Sequence, residues 1–152
     1  MTALDVLERC RRAETEIARL TESIELRRTT LEKCSQQITG MPGGGGVKDS
    51  LATMVCEMAD LERDLEQRRR AYAAELCAGA WIIDSLPAPE KDVMRGWYIE
   101  RKNIGRIAKE CAYSVSSVKR LRRSGAQRCM SIGMSQLTGF LPDWYEETYP
   151  DP

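Results

Sequence analysis

The chain has 152 residues, with 23 Lys/Arg balanced by 23 Asp/Glu, 11 Gly, 6 Pro and a single Phe. At roughly 100–200 residues per domain that allows one domain or two small ones, and it excludes a barrel or a doubly wound enzyme. Aromatic residues make up 6% of the chain, thin for a sandwich core, while 42% hydrophobic and 30% charged residues fit a folded helical protein. No apolar stretch approaches the roughly 20 residues of a membrane span, and the start of the chain lacks a basic-then-apolar leader pattern, so the expected location is cytoplasmic.

The neutral total hides an uneven distribution. Residues 1–90 hold 12 Lys/Arg against 16 Asp/Glu, residues 91–130 hold 11 against 3, and residues 131–152 hold none against 4. A block of net +8 between two blocks of −4 points to a polyanionic partner. There is no histidine, and the six cysteines (10, 34, 56, 77, 111 and 129) are never closer than 18 residues. Zinc sites need close ligand pairs, so no metal and no other cofactor is expected. Without histidine, neither Ser/His nor Cys/His catalysis can be assembled, and the chain reads as a non-enzyme with no small-molecule substrate. The spacing suits cysteines used as small apolar side chains in a reducing compartment.

From Thr2 to Thr39 the pattern is helical. Val6, Cys10, Ala13, Ile17, Leu20, Ile24, Arg27, Leu31, Cys34 and Ile38 recur at alternating spacings of four and three, and only Arg27 is not apolar. That is the a/d seam of a coiled coil. The run Gly40-Met41-Pro42-Gly43-Gly44-Gly45-Gly46 ends the helix and supplies a reversal. It is a poor phosphate loop, because Gly46-Val47 stands where Lys-Ser/Thr is required and no strand precedes it. A second helix is expected from Asp49 or Ser50, carrying Leu51, Met54, Met58, Leu61, Leu65, Tyr72 and Leu76, with Arg68 in the stripe. Two helices of similar length on one short joint predict an antiparallel helical hairpin over residues 1–86, coiled-coil-like, with its glycine-rich loop at 40–46. Arg27 and Arg68 each then need a carboxylate or the solvent edge.

Pro87-Ala88-Pro89-Glu90 breaks the chain, and Asp84 or Ser85 is a candidate cap for the helix that follows, which would present Val93, Met94, Trp97, Tyr98 and Ile99. Residues 104–123 then fit a helix-turn-helix within a DNA-binding domain at 87–130. The position where the helices cross is small, Ala108. The turn position, where glycine is usual, is Ala112. Ile107, Cys111, Val118 and Leu121 are the apolar positions that pack one helix on the other, and Ser114 is an N-cap candidate. Ser116, Lys119, Arg120 and Arg123 fall on the exposed face. With Ser114, Ser117, Arg122, Arg106 and Lys102 they form the candidate double-stranded DNA contact set, because these side chains donate to phosphates and base edges.

Ser85-Leu86-Pro-x-Pro-Glu, Val93-Met94-Arg95-x-Trp97-Tyr98-Ile99, Ile104-x-x-Ile107-Ala108 and Tyr113-Ser114-x-x-x-Val118-x-Arg120-Leu121 together resemble the sigma-70 region 4-like domain of phage-encoded transcriptional regulators, the ArpU/RinA-like late-gene family. The similarity covers roughly residues 1–130. It departs from the family at Asn103-Ile104-Gly105, where a Ser-Trp pair is frequent, and at Ala112. What the resemblance implies is regulation of phage genes, with host RNA polymerase as a partner.

The tail at 131–152 alternates Phe140, Leu141, Trp144, Tyr145 and Tyr149 with Asp143, Glu146, Glu147 and Asp151. It fits a strap that packs its aromatics onto the domain, a dock for a partner, or an acidic shield for the basic face. The expected fold is all-α, a long helical hairpin followed by a helix-turn-helix domain of sigma region 4 type, and the expected function is sequence-specific DNA binding. The other class that fits is a helical assembly protein, such as a small-terminase-like DNA-packaging subunit. The hairpin is expected to make the protein a homo-oligomer, a dimer in the simplest case, since flanking apolar residues such as Leu4, Leu7, Leu26, Val55 and Ala73 would stay partly open.

Overall fold

Helix is the regular structure throughout the computed structural model, which describes residues 1–38 and 45–150, with only the backbone described at 38 and 45–48. The order is α1 (Ala3–Ile38), α2 (Gly45–Asp84), α3 (Ala88–Met94), a π-helical turn (Arg95–Ile99), α4 (Ile104–Cys111), α5 (Val115–Met130), a 3-10 turn (Met134–Gln136) and α6 (Trp144–Thr148). Among the described residues the one β contact is an isolated bridge between Thr2 and Gly133. No helix there is long and apolar enough to cross a membrane. The expected reversal at 40–46 falls largely outside the described residues. Helix α2 starts at Gly45 and not at Asp49 or Ser50. Glycine costs about 1 kcal/mol per residue in a helix, too little to stop a helix of this length from propagating through Gly45 and Gly46.

The chain forms two compact units, residues 14–69 and residues 1–13 with 70–152. The boundaries expected at 86/87 and 130/131 do not coincide with this division. Both long helices pass through it, and the tail counts with the larger unit, because Leu137, Leu141 and Tyr145 are buried there with Trp144 and Tyr149 packed against them.

In the 14–69 unit the helices are joined by ion pairs. Arg68, 6% exposed, meets Glu16 at 2.5 Å, Arg27 meets Glu57 at 3.7 Å, and Arg28 meets Glu62 at 3.6 Å. The two arginines that interrupt the apolar stripes therefore each have the carboxylate they need. Pairing early residues of α1 with late residues of α2 makes the two segments antiparallel. Ile24 and Leu65 are buried, whereas Ile17, Leu20, Leu31, Leu51, Met54, Met58 and Leu61 are only half-buried. Two helices cover one stripe each and no more.

The larger unit has a full core. Ala3, Val6 and Leu7 of α1 and Ala71, Ala78, Ile82 and Ile83 of α2 are buried with Met94, Tyr98, Cys129, Leu137, Leu141 and Tyr145. Leu7, expected to be partly open, is fully buried, and Leu4 packs against the same core, because the tail and the later helices cover this end of α1. Glu75 is also fully buried and accepts a 2.7 Å hydrogen bond from the Tyr145 hydroxyl. Arg9 donates to the carbonyls of Tyr149 and Pro150 and lies over the Tyr149 ring at 4.9 Å. The strap reading of the tail thus describes its packing.

Helix α3 is not capped by Asp84 or Ser85. Pro87 holds the cap position without a side-chain bond, Pro89 lies in the first turn, and the Ser85 hydroxyl donates to the Ile82 carbonyl. Asp84 instead pairs with Lys91 and Arg95, both at 2.9 Å, and these bonds hold its carboxyl below the usual range. Asp84 is still the last residue of α2, and Pro87, whose ring has no group that accepts a hydrogen bond, stands in the cap position ahead of Ala88.

Cys10 and Cys129 are buried, and Cys56 and Cys77 are exposed. Burial, and then the nearby Glu90 carboxylate, push the Cys129 thiol up to about 11. The buried neutral thiol contributes its full stability below the unfolded value of about 8.5, and the contribution is lost as pH rises toward the folded value. A short iodoacetamide pulse at mildly alkaline pH is expected to label Cys56 and Cys77 and spare Cys10 and Cys129. Peptide mass mapping reads this directly, and labelling of Cys129 at the rate of Cys56 would contradict the packing of α5.

Candidate nucleic-acid interface

Helices α4 and α5 owe their limits to their caps. The Asn103 side chain accepts from the Arg106 N–H at 2.8 Å and starts α4. Ala112 ends it in the left-handed conformation, φ 56° and ψ 38°, with its N–H returning to the Ala108 carbonyl. Ser114 then caps α5 by accepting from the Ser117 N–H at 3.1 Å. Ile107, Ala108, Val118 and Val93 are buried together, with Trp97, Ile104, Cys111 and Leu121 packed around them. Ala108 is small where α4 meets α5, and Val118 lies one turn into α5.

A non-glycine residue in the left-handed region is strained by roughly 1 kcal/mol, since its Cβ crowds the following carbonyl. Ala112→Gly is therefore expected to stabilise the protein by about 0.5–1 kcal/mol, less whatever glycine loses through its freer unfolded chain. Urea unfolding measures it, and a destabilised variant would show that the turn is not strained.

Helix α5 is locked from behind. Glu90 of α3 is 6% exposed; one carboxylate oxygen accepts from the Ser124 hydroxyl at 2.5 Å and the other meets Arg128 at 2.8 Å. Gly125 sits where an added Cβ would lie 2.8 Å from Met94 Cγ, so glycine is what lets α3 and α5 approach this closely.

The expected contact residues divide into four groups. Ser116, Lys119, Arg120 and Arg123 recur at i, i+3, i+4 and i+7 and all are exposed. Among the described residues, Lys119, Arg120 and Arg123 have no ion-pair or hydrogen-bond partner. Ser114 and Ser117 are committed locally, their hydroxyls 2.8 Å apart at the cap. Lys102 and Arg106 both pair with Glu110, Arg106 at 2.9 Å, and Lys102 also pairs with Glu100. The Lys102 and Arg106 bonds hold the Glu110 carboxyl below its usual range. Arg122 is half-buried, with its guanidinium 4.3 Å from the centre of the Trp97 ring. Of the nine, three cations stand ready for an external anion.

Three exposed neighbours lie outside the expected contact set: Lys109 on α4, Tyr113 in the turn, 38% exposed, and Val115 at the start of α5, 47% exposed. Lys109 was legible as an exposed position of the same 20 residues, and Tyr113 and Val115 as apolar residues beside a cap. Among the described residues no group of His, Cys, Asp or Glu could hold a metal ion.

Comparison with protein-family models, with curated proteins and with solved structures gives no match for this chain.

Proposed function

We propose that the protein is a sequence-specific DNA-binding regulator, of the phage late-gene kind its sequence resembles, that reads the major groove with α5 used as the second helix of a helix-turn-helix. The observation that carries this is the row of Lys119, Arg120 and Arg123 on one exposed face of a rigidly backed helix, without carboxylate partners among the described residues. Three cations aligned on a capped helix beside Ser116 suit phosphates and guanine edges. Host RNA polymerase is the second partner in this proposal.

The test is binding to mixed-sequence duplex over a range of salt. Each neutralised phosphate contributes a slope of about −0.9 in log affinity against log salt, so a slope of about −3 or steeper is expected. A flat response would overturn the proposal. Selection from a random duplex pool then gives the operator.

A second copy of the chain completes the proposed assembly. In the 14–69 unit Leu26 is 68% and Val55 50% exposed, beside seams that stay half-buried. A four-helix bundle would cover them, and a two-fold dimer would present two α5 helices to two half-sites. Sedimentation equilibrium separates a mass near 17.2 kDa from twice that value, and the monomer mass at tens of micromolar would remove the dimer. The packaging-subunit reading would instead give a larger ring with weak sequence preference.

A further inference from the structure

Four cationic side chains converge on one cleft within the larger unit. Arg11 comes from α1, and Lys119, Arg122 and Arg123 come from one flank of α5. The cleft measures about 390 Å³, within the roughly 300–1,000 Å³ of small-ligand sites. Two of the cations are held in place by one indole. Arg11 donates to the Trp97 carbonyl, its guanidinium lies 3.7 Å from the Trp97 ring centre, and that of Arg122 lies 4.3 Å from the same ring. The lining carboxylate is Glu8, which accepts from the Tyr98 hydroxyl at 3.0 Å and faces the exposed Arg12 at 3.7 Å. Four positive charges thus line a space with one negative charge, and the negative one is already engaged.

Like charges gathered in a partly buried place are unfavourable unless an anion joins them. Burial first, and the positive charges of Arg122 and Arg101 after it, make the Arg11 guanidinium easier to deprotonate than usual, while Glu8 opposes this. The ring also fixes both guanidiniums before any ligand arrives, which lowers the ordering cost of binding. Planar guanidinium forks match the paired oxygens of a phosphate, and Lys119 adds a mobile point charge.

We infer that this cleft is a phosphate-binding site, with Arg11 and Arg122 as fixed forks and Lys119 and Arg123 closing on the same group. The phosphate has two sources. Lys119 and Arg123 also belong to the exposed face of α5, so a backbone phosphate of the bound duplex would reach both. A free polyphosphate would fit the same charges and would couple a small anion to DNA binding. The duplex source rests on the proposed function; the free source does not.

The experiment uses the full chain, with inorganic tripolyphosphate and a mixed-sequence duplex as probes, on wild type, Arg11→Gln and Arg19→Gln, the last an exposed arginine of the 14–69 unit that does not line the cleft. Calorimetry in low salt is expected to show tripolyphosphate binding that falls at least tenfold in Arg11→Gln and is unchanged in Arg19→Gln. If the phosphate belongs to DNA, Arg11→Gln instead lowers the duplex salt slope by about one. Should Arg11→Gln melt below wild type, Lys119→Gln, exposed and outside the core, carries the polyphosphate measurement. The inference is overturned if tripolyphosphate affinity is nil or indifferent to these changes and the duplex slope is the same in wild type and Arg11→Gln. A wild type that binds duplex with that result keeps the regulator proposal; one that binds tripolyphosphate but no duplex keeps the cleft and removes the regulator.

Discussion

Tyr145→Ala is expected to destabilise the protein by about 3–5 kcal/mol, the range for deleting a fully buried aromatic ring. Tyr145 is 0% exposed and lies among Leu137, Leu141, Ala78 and Ile82 in the same core cluster. Its ring sits 5.1 Å from that of Tyr149 and 6.4 Å from that of Trp144, so the tail loses its anchor with it. The hydroxyl adds a second effect. It donates to Glu75, a carboxylate with no exposure of its own, and a buried charge that loses a donor is costly. Tyr145→Phe isolates that part and is expected to cost about 1–3 kcal/mol. Burial and the Glu75 charge both push the phenol well above its usual range, so the donor stays protonated. Its contribution is complete below the ordinary tyrosine value of about 10 and is lost only above it. Urea unfolding of both variants checks the pair. A Tyr145→Ala variant within about 1 kcal/mol of wild type would mean that the tail does not belong to the core.

The Arg120→Ala/Arg123→Ala double variant is expected to lose about 2–6 kcal/mol of binding to a selected operator, from about 1–3 kcal/mol for each side chain that reads a base edge. Both side chains are exposed on α5 and make no ion pair among the described residues, so folding should be unaffected. That separates them from Arg128, whose pair with Glu90 joins α5 to α3, and from Arg122, stacked on Trp97. Arg120→Ala alone should relax base preference if it reads a guanine, whereas loss of a phosphate contact would weaken all sequences alike. Duplex titration together with thermal unfolding decides the outcome. A double variant that binds operator as wild type does would reverse the assignment of the exposed face.

Much of the architecture was legible because it rests on local chemistry. The four-three spacing of Val6, Cys10, Ala13 and Ile24 predicts a long helix with those residues inside, and they are buried. Ser114 and Ala112 were legible as cap and turn because capping and left-handed geometry depend on few neighbours. The need of Arg27 and Arg68 for carboxylates was also readable, though Glu57 and Glu16 were not, since a sequence stripe does not say which residues of a partner helix face it. The expected cap of α3 does not form, because Pro87 occupies the cap position. Asp84 looked like a start signal, but Lys91 and Arg95 claim it.

The candidate site divides the same way. The sequence alone determined an all-helical chain, a cation-rich segment at 91–130 and the face shared by Lys119, Arg120 and Arg123, because helical period and charge are properties of neighbours in the chain. Tertiary structure alone decided which cations are left unpaired. Lys102 and Arg106 share Glu110, and Arg122 lies on Trp97 beside Arg11, a residue more than 100 positions earlier in the chain. It also decided that the tail is part of a core, through Glu75 and Tyr145, which are 70 residues apart. The reason is physical: charge pairing and burial depend on distance through space, and composition averages over the very residues that folding brings together.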